Sequence, residues 1–252
     1  MVNTRLVVIT GVVLLLMSTL VSCTRTPTVP EPENELVIQL VLQAGNRWQA
    51  GALSRVMGAD DHGNVYFSQG NVRVMASFGG STRFEFLPRD TTLLDTRGVL
   101  VEENYNISTL NLPVVEDSTY ELKVTHEEYP TVTGTTTVPS LSGVFFNEVD
   151  NIVEWNGEGA AVYELTIYKP VPGTIMQKVS SHLVWDRESY QVKPGQLDLT
   201  RAYFFQVAAY DSNYYRHTIL RDEAAGVEGG RGLFGSKVIE GDWYRPGVQD
   251  GP

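Results

Sequence analysis

From Leu36 onward the chain is dominated by short runs in which apolar and polar residues alternate. Leu36-Val-Ile-Gln-Leu-Val-Leu42 is a brief apolar run rich in β-formers. Val72-Arg-Val-Met-Ala-Ser-Phe78, Phe84-Glu-Phe86, Tyr120-Glu-Leu-Lys-Val124 and Thr133-Gly-Thr-Thr-Thr-Val138 alternate with period two. Successive strand side chains point to opposite faces, so this period predicts half-buried strands. Turn-forming clusters separate them at Ala44-Gly45-Asn46, Asp61–Asn64, Gly79-Gly80 and Glu116-Asp117-Ser118. Short strands at this spacing predict an all-β fold of sandwich type. No stretch sustains a helical period. Pro139-Ser-Leu-Ser-Gly143 predicts a boundary between one sandwich over 36–140 and a second over 141–240, with 241–252 as a tail.

The second half has sharper landmarks. Ile152-Val-Glu-Trp155 and Tyr163-Glu-Leu-Thr-Ile-Tyr168 are followed by Leu199-x-x-x-Tyr203-x-Phe205-x-Val207-x-Ala209. A Trp on an early strand with this later pattern resembles a fibronectin type III domain over roughly 142–240. The resemblance implies that Trp155 packs between two sheets and that Tyr203 opens the penultimate strand. The segment between Tyr210 and Leu233 is long for a final hairpin of that fold.

That segment contains Gly226-Val-Glu-Gly-Gly-Arg-Gly-Leu-Phe-Gly-Ser236. Its glycines permit positive φ and close backbone approach, so Leu233 and Phe234 can enter the core as a strand begins. A phosphate loop would need a Lys-Ser/Thr ending before a helix, and Gly-Ser-Lys over 235–237 has the wrong order. The run resembles the Gly-Gly-x-Gly-x-Phe-Gly ending of a family of uncharacterised outer-membrane lipoproteins of Bacteroidota type. Tyr120–Val124 and Thr135-Thr-Thr-Val-Pro139 match that family's middle element. The resemblance implies location and architecture; docking with an outer-membrane transporter or surface complex, as members of that family are thought to do, is the expected role.

The N-terminus agrees with that location. Arg5 precedes an apolar stretch from Leu6 to Met17, and Leu20-Val21-Ser22-Cys23 follows. These are the basic, hydrophobic and cleavage regions of an export signal. From Leu6 to Val21 the run falls short of the roughly 20 residues of a spanning helix. Leu20, Val21, Ser22 and Cys23 resemble a bacterial lipobox, which implies cleavage before Cys23 and acylation of its thiol and new N-terminus. Residues 1–22 are then a signal peptide and 23–35 a lipidated tether, since Thr24–Glu35 is too rich in Pro and Glu to bury a core. Thr24 after the cysteine favours the outer membrane, by resemblance to Gram-negative sorting. The membrane is the first expected partner, through the lipid; an outer-membrane protein is the second.

Charge and cysteine use narrow the classes further. The formal charge is −11 over 252 residues, which disfavours nucleic acid as a partner. Cys23 is the only cysteine, so neither disulfides nor thiolate zinc sites are expected.

Candidate chemistry is sparse. His62, His126, His182 and His217 show no metal-ligand spacing, and no Gly-x-Ser-x-Gly elbow occurs. Asp60–Asn64 and Asp211-Ser-Asn213 offer oxygens but lack the spaced acids of a calcium loop. No cofactor and no metal are expected, and a binding protein is favoured over an enzyme. The binding candidates are loop aromatics and their neighbours: Tyr214, Tyr215 and Arg216, near Tyr210, together with Trp243 and Tyr244. Tyr, Trp and Arg are enriched at binding hot spots. A carbohydrate- or peptide-binding lipoprotein using these aromatics is the alternative function, and an unrecognised hydrolase a second; the ligand is left open.

Overall fold

A computed structural model describes residues 35–46, 48–56, 71–76, 82–88, 93–94, 100–101, 105–108, 113–173 and 176–247. The leader, Leu20–Cys23, residues 24–34 of the tether and Asp60–Asn64 lie outside the described residues. The N-terminal strands are β1 (Leu36–Gln43), β2 (Trp48–Arg55), β3 (Asn71–Ala76) and β4 (Thr82–Pro88). The short β5 (Leu93–Leu94), β6 (Leu100–Val101) and β7 (Tyr105–Ser108) follow, then β8 (Thr119–Thr125) and β9 (Val132–Thr137). The period-two pattern is realised as burial. Leu36, Ile38, Leu40 and Leu42 are buried, and Gln39 among them is exposed. Tyr120, Leu122 and Val124 are buried on β8 while Glu121 and Lys123 are exposed. At about 1.5–3 kcal/mol per fully buried large apolar side chain, these rows supply much of the driving force for sheet stacking.

The second half begins after only Val138 and Pro139. Its strands are β10 (Ser140–Asn147), β11 (Ile152–Glu158), β12 (Val162–Lys169), β13 (Gln177–Val184), β14 (Ser189–Gln191) and β15 (Tyr203–Tyr210). Helix α1 (Ser212–Thr218), β16 (Ala224–Ala225), β17 (Val227–Glu228) and the long β18 (Arg231–Tyr244) complete the chain. Strands β10, β11 and β14 form one sheet, and β13, β12, β15 and β18 adjoin in that order in the other. This is a fibronectin type III-like sandwich, and the fold as a whole is all-β. Trp155 is buried on β11 against Tyr163, with ring centroids 5.4 Å apart.

Both halves carry the same corner. The Tyr203 hydroxyl accepts a hydrogen bond from the Asp198 N–H at 3.0 Å, and the Tyr120 hydroxyl accepts one from the Val115 N–H at 2.9 Å. A tyrosine that opens a strand and bonds back to backbone just upstream is the corner of immunoglobulin-like sandwiches. Leu197 and Val114, just before each corner, are buried.

The two halves share a strand. Arg231–Lys237 of β18 pairs in parallel with β1, and Lys237–Tyr244 pairs antiparallel with β15. Strand β17 pairs with β9, so residues numbered within 141–240 complete the sheets of the 36–140 segment. A single cluster of buried apolar residues runs through both halves, from Leu36 to Phe205 and Phe234.

Two sequence expectations change. The Tyr210–Leu233 segment holds a helix, too short to show a helical period, that starts because Asp211 caps it by accepting from the Tyr214 N–H at 2.9 Å. Trp243 and Tyr244 are not in a tail beyond the last strand. They end β18, because pairing with β15 continues to Tyr203↔Tyr244.

Gly232 explains part of the glycine run. Its φ is +110°, and a Cβ there would lie 1.9 Å from the Ile38 carbonyl oxygen. Only glycine lets β18 lie this close beside β1.

Candidate functional site

Strand alternation decides which residues reach the outer face of the shared sheet. On β15, Phe205, Val207 and Ala209 face the core, so Phe204, Gln206, Ala208 and Tyr210 face outward. On β18 the outward set is Leu233, Lys237, Ile239 and Trp243; on β1 it is Gln39, Val41 and Gln43. Helix α1 covers one stretch of this face. Tyr214 stacks on Tyr210 with centroids 4.1 Å apart and planes at 12°, and Val162, Ala208, Tyr215 and Ile239 complete a small apolar cluster.

Beside the helix lies an open groove of about 510 Å³. Gln39, Gln43 and Leu233 lie along its sheet side, with Lys237, and Trp48 and His217 also line it. Trp48 is 56% exposed, the largest fraction for an aromatic among the described residues. Its position follows from the β1–β2 hairpin. Buried Gln49 accepts from the Gln43 N–H and donates to the Gln43 carbonyl, both at 2.8 Å, which fixes the turn and leaves its neighbour Trp48 facing out.

Lys237 is the electrostatic centre of the groove. Tyr210 is its partner across the β15–β18 ladder. The nearby Glu164 accepts from the Ser181 hydroxyl at 2.5 Å and the Tyr210 hydroxyl at 3.1 Å, so each of its oxygens already receives a hydrogen bond. Burial lowers the Lys237 pKa, and Glu164 partly offsets this. Among the described residues the Lys237 ammonium makes no hydrogen bond and no ion pair. Burial also raises the Tyr210 pKa, with Tyr214 and Glu164 adding to the shift. His217 Nδ1 lies 2.9 Å from the Asp222 carbonyl oxygen, which fixes Nδ1 as the donor and leaves Nε2 as an acceptor in the neutral ring.

The residues singled out from sequence fall into two places. Tyr214, Tyr215 and Arg216 lie on α1, where Arg216 forms an ion pair with Asp222. Trp243 and Tyr244 lie at the far end of β18, on the order of 20 Å away along the strand at about 3.3 Å per residue. Trp243 packs on Phe204 at 5.3 Å, and Phe204 meets Tyr168 at 6.4 Å, forming an outward aromatic row. Tyr244 turns inward, edge-on to Phe146 at 5.3 Å, and donates to Glu148 at 2.8 Å. Burial first, then that carboxylate, pushes its pKa up to about 12. The fold does not bring the two groups together.

Other candidates have structural employment. Asp211 caps α1, and Asn213 donates to the carbonyls of Thr135 and Phe234 at 2.8 and 3.0 Å, so this segment ties strands together. No cluster of three or more His, Cys, Asp or Glu with metal-binding geometry occurs among the described residues. His182 stacks on Tyr190 at 4.4 Å, and burial followed by Lys193 lowers its pKa.

Trp48, Lys237, Gln39 and Gln43 were not singled out by sequence reasoning, and His217 was weighed only as a metal ligand. The one local signal was a Trp two residues after the Ala44–Asn46 turn. The rest depends on a parallel pairing between the two ends of the folded region.

No protein-family profile and no curated protein matches the chain. Among solved structures it is similar to the crystal structure of the FN1–FN3 domains of chicken CNTN1. That match has 14% identity and a TM-score of 0.24 over 85% of this chain. It spans 66% of the CNTN1 chain, just under two thirds. The all-β, fibronectin type III-like class follows from the strand pairing described above.

Proposed function

We propose that this protein is a non-catalytic binding lipoprotein of the bacterial envelope, held by acyl chains on Cys23 and taking a ligand in the groove between Trp48 and α1. The observation that carries the reading is the groove itself: an exposed Trp beside outward amide side chains and a lysine that makes no hydrogen bond or ion pair among the described residues. The Leu20–Cys23 lipobox and the Gly226–Ser236 run support membership of the Bacteroidota-type outer-membrane lipoproteins and a place at the outer membrane.

A second contact, with an outer-membrane transporter or surface complex, is favoured by a different feature. Strand β13 is an end strand of its sheet; Val179 and Leu183 on it and Trp185 just after it are exposed. Such an edge accepts a partner strand through backbone hydrogen bonds.

The test is purification of the lipidated chain from its native envelope in mild detergent, with mass spectrometry of co-eluting material. A membrane protein in near-stoichiometric amount supports the accessory role. Recovery of the chain with neither protein nor ligand overturns the binding reading, and a Cys23→Ser form that stays in the membrane fraction overturns the lipid anchor.

A further inference from the structure

The groove holds one group whose chemistry is unanswered. Among the described residues the Lys237 ammonium, partly desolvated by burial, makes no hydrogen bond or ion pair, and Glu164, whose charge acts on it, already receives two hydroxyl hydrogen bonds. A buried or half-buried ammonium gains most from a partner that carries the opposite charge and accepts hydrogen bonds. Other charges flank the site without answering it. Arg216 and Asp222 pair with each other beside His217.

Trp48 adds the second requirement. An exposed indole at a groove mouth stacks best on a flat, weakly polar ligand face, and Gln39 and Gln43 supply donors and acceptors for hydroxyl groups. We propose that the groove binds a uronic-acid sugar, its carboxylate on Lys237, its ring face on Trp48 and its hydroxyls on Gln39 and Gln43. This rests on the binding reading above and names the ligand class. The acidic surface does not forbid it. Repulsion from distant carboxylates is screened beyond about 8 Å at physiological ionic strength, whereas the Lys237 contact acts at hydrogen-bond range.

The test uses the full lipidated chain in an amine-oxide detergent, which has no sugar headgroup. Tetragalacturonate and its methyl ester are titrated by calorimetry; the two differ in carboxylate charge. The expected result is at least tenfold tighter binding of the free acid. Lys237→Met should abolish that preference, and Lys237→Arg should retain most of it. Trp48→Ala, an exposed substitution that leaves the core untouched, should weaken the free acid about tenfold. Equal binding of acid and ester overturns the inference, as does a preference that survives Lys237→Met or binding that survives Trp48→Ala unchanged. If neither sugar binds while a partner or other ligand still co-purifies, the uronate inference fails and the binding reading stands.

Discussion

The Thr136 hydroxyl lies 2.6 Å from Asp211 Oδ2 in a buried site where β9 of the first half meets the end of β15 from the second. The contact is one link of a chain. Thr136 Oγ1 is 2.9 Å from Ser236 Oγ, and Ser236 Oγ donates to the Thr137 carbonyl at 2.9 Å. Each hydroxyl has one proton to donate. With Ser236 bonded to the Thr137 carbonyl, the Thr136 proton goes to Asp211 Oδ2, and Ser236 Oγ stays a close neighbour of Thr136 Oγ1. The bond from Thr136 favours the charged carboxylate, while burial, the larger effect, raises the Asp211 pKa.

Asp211 should make the fold more stable at mildly acidic pH than its other carboxylates alone would. Burial raises its pKa above 3.8, with the bonds from Thr136 and the Tyr214 N–H opposing the shift. The native state then binds more protons than the unfolded state between those two values. The stabilisation is fully present below 3.8 and is lost as pH rises through the folded pKa. Denaturant unfolding of the parent and Asp211→Asn, followed from pH 7 down towards 4, should show the parent gaining on the variant. A constant difference would refute a raised pKa.

Asp211→Ala removes the helix cap and leaves Thr136 and the Tyr214 N–H without their acceptor. Loss of a cap costs about 1 kcal/mol and an orphaned buried group about 1–3 kcal/mol, so a loss of about 2–4 kcal/mol is expected at neutral pH. Asp211→Asn preserves the Tyr214 bond and can donate to Thr136, so it should cost under about 1 kcal/mol. Chemical denaturation measures both.

Gly232→Ala should be among the most damaging single-methyl additions. The new Cβ would meet the Ile38 carbonyl oxygen at 1.9 Å, and the backbone φ of +110° is strained for any residue with a side chain. Several kcal/mol of destabilisation is expected, in the class of severe backbone effects. Because β18 serves both halves, tryptophan fluorescence and far-ultraviolet circular dichroism should shift together. A variant that unfolds the first half alone, leaving the Trp155 environment intact, would contradict the shared-strand account.

The two corners give a matched pair. Tyr120→Phe and Tyr203→Phe each remove a hydroxyl that accepts one backbone bond, leaving the Val115 and Asp198 N–H groups to find water. Each should cost about 1–2 kcal/mol without changing ligand binding in the groove. Thermal unfolding, with calorimetric titration as the control, measures this.

Much of the architecture was readable residue by residue. The alternation around Tyr120 and Tyr203 and the run at Leu36–Leu42 appear as strands with the expected faces buried. Phe234 enters the core as foreseen, whereas Leu233, one residue before it, lies on the opposite face along the groove. Helix α1 was missed because a seven-residue helix offers no period to detect, though its Asp211 cap was visible as a letter. Trp243 was placed past the last strand because the pattern weakens after Ile239, where β18 has lost β1 as a neighbour and Glu240, Gly241 and Asp242 are exposed.

By itself the sequence determined the all-β class, the strand periods, the fibronectin-like second half and the expectation of a lipid anchor at Cys23. These rest on local patterns, since the side-chain alternation of a strand is set by its own backbone. Tertiary structure alone decided that β18 runs beside β1, that Lys237 meets Gln43 and Tyr210, and that Trp48 and His217 border one groove. Such pairings are chosen by which distant apolar rows bury each other, and a one-residue change of register would reverse every face.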